Sequence, residues 1–162
     1  MIRIITGPVD SGKTTRMLEL YRMAGPGTAG GFISRKLFRD GSFTGYEISR
    51  LSDGESRLLA VLANGDHGEA AVLTPDCFQF SRFIFFNDAF RFGESVIEAL
   101  QQDPGITDLF LDEIGPLELE GKGFAQLLDR LDKQKMNLCL GIRSDCLAAA
   151  VERFGLSPYI VV

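Results

Sequence analysis

Gly7-Pro8-Val9-Asp10-Ser11-Gly12-Lys13-Thr14 decides the fold, because it fills every defined position of the pattern G-x-x-x-x-G-K-[ST]. Its context carries as much weight as its letters. The apolar run Ile2 to Thr6 precedes it and reads as a short buried strand, while Thr14 to Met23 follows as a helix with Met17, Leu18 and Tyr21 on one face. Glycines between a strand and a helix let successive backbone N–H groups turn inward, and the helix N-terminus adds about half a positive charge. Such a nest receives a polyphosphate. Residues 7 to 15, ending in Thr15, are therefore the expected nucleotide-binding loop: Lys13 reaches the β and γ phosphates, the Thr14 hydroxyl ligates the Mg²⁺ that bridges them, and Thr15 supports the loop or the α-phosphate.

A second element answers the first. Leu109-Phe110-Leu111-Asp112-Glu113 is an apolar strand ending in two carboxylates, the arrangement of a Walker B segment. Asp112 is expected to hold the metal, since Mg²⁺ takes oxygen ligands and keeps part of its water shell. Glu113 is then free to orient the attacking water. Together with Lys13 it forms the expected catalytic pair.

Working outward, Gly25 to Gly31 ends the first helix, and Phe32 to Phe38 and Thr44 to Leu51 read as strands joined at Asp40-Gly41, a hairpin signal. Ser56 to Ala63 and Ala70 to Thr74 extend this β-rich section across Asn64-Gly65. Asn87 can cap a helix running to about Gln102, with Phe90, Val96, Ile97 and Leu100 inward and Pro104-Gly105 at its end. Strand Asp108 to Leu111, helix Phe124 to Leu131, strand Leu138 to Ile142, helix Asp145 to Phe154 and strand Tyr159 to Val162 complete the chain. Alternation of this kind builds a three-layer α/β fold, a mainly parallel sheet between helices, with ligands at the carboxyl ends of its strands.

The totals agree. A chain of 162 residues, 45% hydrophobic and 24% charged, suits a single folded domain over residues 1–162. A formal charge of −5 argues against a nucleic-acid or anionic-lipid partner, both of which need a basic surface. Cys77, Cys139 and Cys146 are odd in number and lack paired spacing, which fits free thiols in a reducing cytoplasm. No apolar stretch approaches the roughly 20 residues of a membrane span.

On these residues the chain resembles the small nucleoside-triphosphatase family known from thermophiles and, in animals, as cancer-related nucleoside-triphosphatase. Gly7 to Thr15 (GPVDSGKTT) and Leu111 to Leu119 (LDEIGPLEL) carry the likeness, with support from Gly31-Phe32-Ile33 and Gly45-Tyr46-Glu47-Ile48. The resemblance implies a RecA-like P-loop fold, Mg²⁺, and slow hydrolysis of ATP, GTP and other nucleoside triphosphates. Pro116, the Phe-rich stretch 78 to 92 and the short C-terminus depart from the family pattern.

Several residues have two readings. Arg143 follows an inner strand and is either a γ-phosphate contact or a surface arginine, and Arg16 and Arg35 are weaker candidates of the same kind. Seven of the 13 phenylalanines fall between Phe78 and Phe92, which favours core packing over base stacking or a protein partner. His67 has no second ligand nearby in sequence, and Glu118 and Glu120 read as a solvated turn. A hydrolase with water as acceptor leads. A small P-loop phosphotransferase, with Glu113 taking a hydroxyl proton, and a nucleotide-dependent adapter protein are the alternatives. The chain has no Asn-Lys-x-Asp segment, so base preference is unreadable.

Overall fold

A strand buried on both faces needs apolar residues at successive positions, and β1 (Ile2–Gly7) meets that demand: Ile4 packs into one core and its neighbour Ile5 into a second core on the opposite face. The same division recurs at Phe32 and Ile33 in β2 (Ala29–Arg39), at Leu111 and Phe110 in β7 (Asp108–Ile114), and at Leu138 and Cys139 in β8 (Asn137–Arg143). Helix α1 (Lys13–Ala24) covers the Ile5 face through Met17 and Tyr21. The Ile4 face takes α2 (Asn87–Gln102), α3 (Pro116–Leu119), α4 (Ala125–Arg130) and α5 (Leu147–Phe154). Helices thus lie on both faces, as expected.

This computed structural model describes residues 1–25, 27–64 and 76–162. The expected apolar run at 70–74 and the loop histidine His67 lie outside them. Among the described residues, β3 (Ser42–Arg50), β4 (Ser56–Leu62), β5 (Cys77–Phe80), β6 (Phe83–Phe86) and β9 (Tyr159–Val161) join the others in one sheet, ordered β5-β6-β4-β3-β2-β7-β8-β1-β9. From β2 to β9 every pairing is parallel; from β2 to β5 every pairing is antiparallel. The sheet is therefore mixed, not mainly parallel. β2 and β3, and likewise β5 and β6, are joined by two-residue turns, and antiparallel pairing is the arrangement such turns permit. The Asp40-Gly41 turn has positive φ at both residues, 49° and 78°, as a two-residue hairpin requires.

Other expectations needed revision. Strand β2 begins at Ala29, inside the stretch read as a helix-ending loop. Asn87 is the first helical residue of α2, Phe86 takes the cap position, and the Asn87 amide donates instead to Asp76 Oδ1 at 3.1 Å. The last helix starts after a 3₁₀ turn, Ser144–Cys146. None of the three cysteines is in a disulfide; Cys139 and Cys146 are buried and Cys77 is half-buried. Among the described residues, no helix is long and apolar enough to cross a membrane.

Candidate active site

Parallel strands bring their carboxyl ends to one edge, so Gly7 at the end of β1 lies in register with Arg143 at the end of β8, and β8 separates β1 from the acidic strand β7. The loop leaves β1 here and enters α1 through Gly12, whose φ of 85° is readily adopted only by glycine. Lys13, the first residue of α1, donates its ammonium protons to the carbonyl oxygens of Gly7 and Pro8 at 3.1 and 2.8 Å. That holds the charge over the loop. Asp10, also at positive φ, is ion-paired to Lys36 of β2 at 2.5 Å.

The two carboxylates reach this edge through a break in the ladder. Leu111 pairs with Leu140, yet the next pair is Ile114 with Ile142, so Asp112 and Glu113 together oppose Gly141. One extra residue is a β-bulge, which re-aims a side chain that strict alternation would send to the other face. Glu113 sits in it at φ 66°. Consecutive acids consequently line the same cleft. Gly141 makes room for them, because a Cβ there would lie 2.3 Å from Asp112 Oδ1.

Asp112 is 4% exposed. The Thr14 hydroxyl donates to its Oδ2 at 2.6 Å and the Glu113 backbone N–H to its Oδ1 at 3.0 Å. Burial pushes the Asp112 carboxyl above its ordinary range, against the pull of these bonds and of Lys13. Glu113 is also raised, first by burial and then by the neighbouring Asp112 charge.

The resulting cleft of about 370 Å³ is lined by loop residues 9–15, by Ser34, Arg35 and Lys36 of β2, by Tyr46 of β3, and by Asp112 and Glu113. All the residues expected to bind phosphate or metal thus meet there, except that Gly7 and Pro8 lie behind the loop and present carbonyls to Lys13. Sequence reasoning missed Ser34, Lys36 and Tyr46 and underweighted Arg35. A signal existed: Ser34-Arg35-Lys36 follows the buried Phe32-Ile33 pair, beyond the last parallel pairing of β2 with β7 at Phe32 and Leu111. Arg16 is turned away and pairs with Glu19 at 3.2 Å.

A second cavity, about 430 Å³, adjoins the first and shares Val9, Ser34, Tyr46, Asp112 and Glu113 with it. Arg143 lines this second space, its Nε bonded to Asp145 Oδ1 at 3.1 Å. Glu118 lines it too and is not part of a solvated turn. It is 3% exposed, accepts the backbone N–H groups of Gly115 at 3.0 Å and Phe124 at 3.3 Å, and is pushed up to about 7 by burial. Glu120 is exposed as expected. The Phe-rich stretch forms the unforeseen hairpin β5–β6, with Phe78 opposite Phe85 and Phe80 opposite Phe83. Period-two spacing puts these four rings on one face, where they pack on the core, and Phe80, Phe83 and Phe85 wall the second cavity.

The donor set suits a hard divalent cation. Thr14 Oγ1 and the Asp112 carboxylate are oxygen donors in direct contact, and among the described residues no cluster of three or more His, Cys, Asp or Glu side chains competes with them. Two protein oxygens leave most of a six-ligand shell to phosphate and water.

A family model described as NTPase matches residues 3–155. The chain is similar to nucleoside-triphosphatase THEP1 of Archaeoglobus fulgidus, 27% identical over 130 residues, which is 78% of this chain and 68% of the relative. It is also similar to the protein of that name from Thermotoga sp. strain RQ2, 28% identical over 82% of this chain and 68% of the relative. The fold matches the crystal structure of THEP1 from the hyperthermophile Aquifex aeolicus, with a TM-score of 0.71, 20% identity, and coverage of 100% of this chain and 88% of that one. It matches the solution structure of a human cancer-related nucleoside triphosphatase with a TM-score of 0.68, 21% identity, and coverage of 98% and 85%.

Proposed function

From the premise that this chain belongs to the NTPase family, as a nucleoside-triphosphatase, we propose that its cleft hydrolyses ATP, GTP and other nucleoside triphosphates to the diphosphate and inorganic phosphate. The observation that carries this reading is the bulge in β7, which sets Glu113 beside the Thr14–Asp112 contact at the mouth of the phosphate loop.

In this reading the backbone N–H groups of the loop hold the phosphates, and Lys13 exchanges the carbonyls of Gly7 and Pro8 for β and γ oxygens. Thr14 and Asp112 would hold Mg²⁺. When bound, that ion neutralises charge shared between the β and γ phosphates. Glu113 orients the attacking water and takes its proton. Burial and the neighbouring Asp112 charge raise the proton affinity of Glu113 above that of an ordinary carboxylate. Arg143 is bonded to Asp145, whereas Arg35 lines the cleft. The order β9-β1-β8-β7-β2 supports a RecA-like assignment.

The test is phosphate release from ATP, GTP, CTP and UTP with Mg²⁺ or EDTA, for wild type, Lys13→Ala and Glu113→Gln. Release from several nucleotides in Mg²⁺ only, abolished in Lys13→Ala and reduced on the order of 100-fold or more in Glu113→Gln with nucleotide still bound, is the expected result. Wild type that binds triphosphate and releases no phosphate would remove the hydrolase reading.

A further inference from the structure

The cleft continues past Asp112 and Glu113. Behind them lies the 430 Å³ cavity, enclosed between the β2–β6 part of the sheet and the helices above it, with Phe32, Phe83, Phe85, Phe90 and Phe124 as walls. Close-packed interiors leave few voids larger than a water molecule, whereas spaces of roughly 300–1,000 Å³ that are mostly apolar with a few convergent polar groups are the usual form of a small-molecule site. Its polar lining comes from several elements and includes Arg82, Glu118 and Arg143. Asp112 and Glu113 border both spaces, and so does Ser34. Ser34 is 7% exposed, and its hydroxyl makes no hydrogen bond of normal geometry, although it lies near enough to Glu113 to favour the ionised carboxylate. A buried hydroxyl left in this way normally has a partner.

We infer that the second cavity is an acceptor site for a small aromatic alcohol, whose hydroxyl takes the place of water at Glu113. The inference rests on the reading that a triphosphate occupies the loop, since its terminal phosphate then meets Asp112 and Glu113 from the loop side while the cavity meets them from the aromatic side. Aromatic rings pack favourably against the edges and faces of other rings, and Phe85, Phe90 and Phe124 already pack this way with each other. A hydroxyl presented between Ser34 and Glu113 would satisfy the orphan group. In the transfer, the alcohol oxygen bonds to the γ-phosphorus, the bond from that phosphorus to the β–γ bridging oxygen breaks with its electron pair leaving on the nucleoside diphosphate, and the hydroxyl proton passes to the Glu113 carboxylate. The triphosphate supplies the phosphoryl group, and no oxidant or reductant is needed. Hydrolysis is the same displacement with the cavity vacant.

The probes are benzyl alcohol, 3-pyridinemethanol and thymidine, each added to full-length protein with ¹³C-labelled phenylalanine rings. Intermolecular NOEs report contact with Phe83, Phe85 and Phe90. A ³¹P spectrum in ATP and Mg²⁺ separates the alcohol's phosphate ester from inorganic phosphate. At least one probe is expected to give NOEs, and its ester is expected to accumulate in step with ADP. Leu59→Phe adds bulk to the cavity wall from β4, and it is expected to abolish the ester and leave phosphate release to water unchanged. The wild-type spectra decide the matter if that variant does not fold. Absence of NOEs from all three probes would overturn the site, and NOEs accompanied by inorganic phosphate alone would overturn the acceptor role. Loss of the underlying hydrolase reading would show separately, as no phosphate release from ATP in the absence of any alcohol.

Discussion

Glu118 is a carboxyl kept in the core, and Glu118→Gln isolates what that costs. Its two oxygens accept from Gly115 and Phe124, but burial outweighs those bonds and lifts the group from 4.5 to about 7. A folded pKa above the unfolded one means that the folded chain binds the proton more tightly. The group's contribution to stability is therefore fully present below pH 4.5, declines as the unfolded chain ionises, and is lost once pH has passed about 7. A displacement of that size is worth about 3 kcal/mol, since each tenfold change in proton affinity is about 1.4 kcal/mol. Gln has the shape of the protonated acid and does not titrate, and because its amide nitrogen cannot accept one of the two backbone N–H groups it carries a loss that does not vary with pH. Urea unfolding of both proteins from pH 4.5 to 8.5 should show the difference in unfolding free energy moving in favour of Gln by about 3 kcal/mol across the window, whatever the other groups contribute. If the two curves stay parallel, the carboxyl is not held protonated by burial, and the reasoning fails.

Three further outcomes follow from the same geometry. Gly141→Ala places a Cβ 2.3 Å from Asp112 Oδ1, so the carboxylate must leave Thr14; phosphate release should fall by about 100-fold while circular dichroism stays native. Gly31→Ala sets a Cβ 1.9 Å from the Phe110 carbonyl oxygen at a φ of 142°, a clash with backbone that cannot rotate away, and chemical denaturation should register a loss of about 3 kcal/mol or more. Cys139 is buried and its thiol is pushed up to about 11, so a disulfide exchange reagent at pH 8 should leave it unmodified until urea is added, as peptide mapping would show.

Most of the scaffold of the site was legible because it is local. The loop and its flanking strand and helix lie within 2–24, and the acids close an apolar run, so neither required knowledge of a distant partner. What was not legible depends on registers between strands. That Asp112 and Glu113 share one face could not be read from Leu111-Asp112-Glu113-Ile114, because strict alternation sends them apart and only the pairing with Leu140 and Ile142 reveals the extra residue. Arg35 and Lys36 reach the cleft because β2 outruns its partner β7 at the carboxyl end. Glu118 was misread by the ordinary rule that carboxylates face water, a rule that two donated backbone N–H groups can override. The β5–β6 hairpin did leave a trace, Phe-x-Phe on either side of Ser81-Arg82, but a cluster of phenylalanines reads equally as core.

The bulge in β7 also separates what this strand does for folding from what it does for chemistry. A chain lacking Glu113 altogether would pair Leu111-Asp112-Ile114 with Leu140-Gly141-Ile142 in unbroken order and would shed a left-handed residue whose backbone costs on the order of 1–3 kcal/mol. Such a deletion would improve the ladder and remove the proposed base from the cleft. The segment is one residue too long for an unbroken ladder, and the surplus residue is the one that lines the cleft.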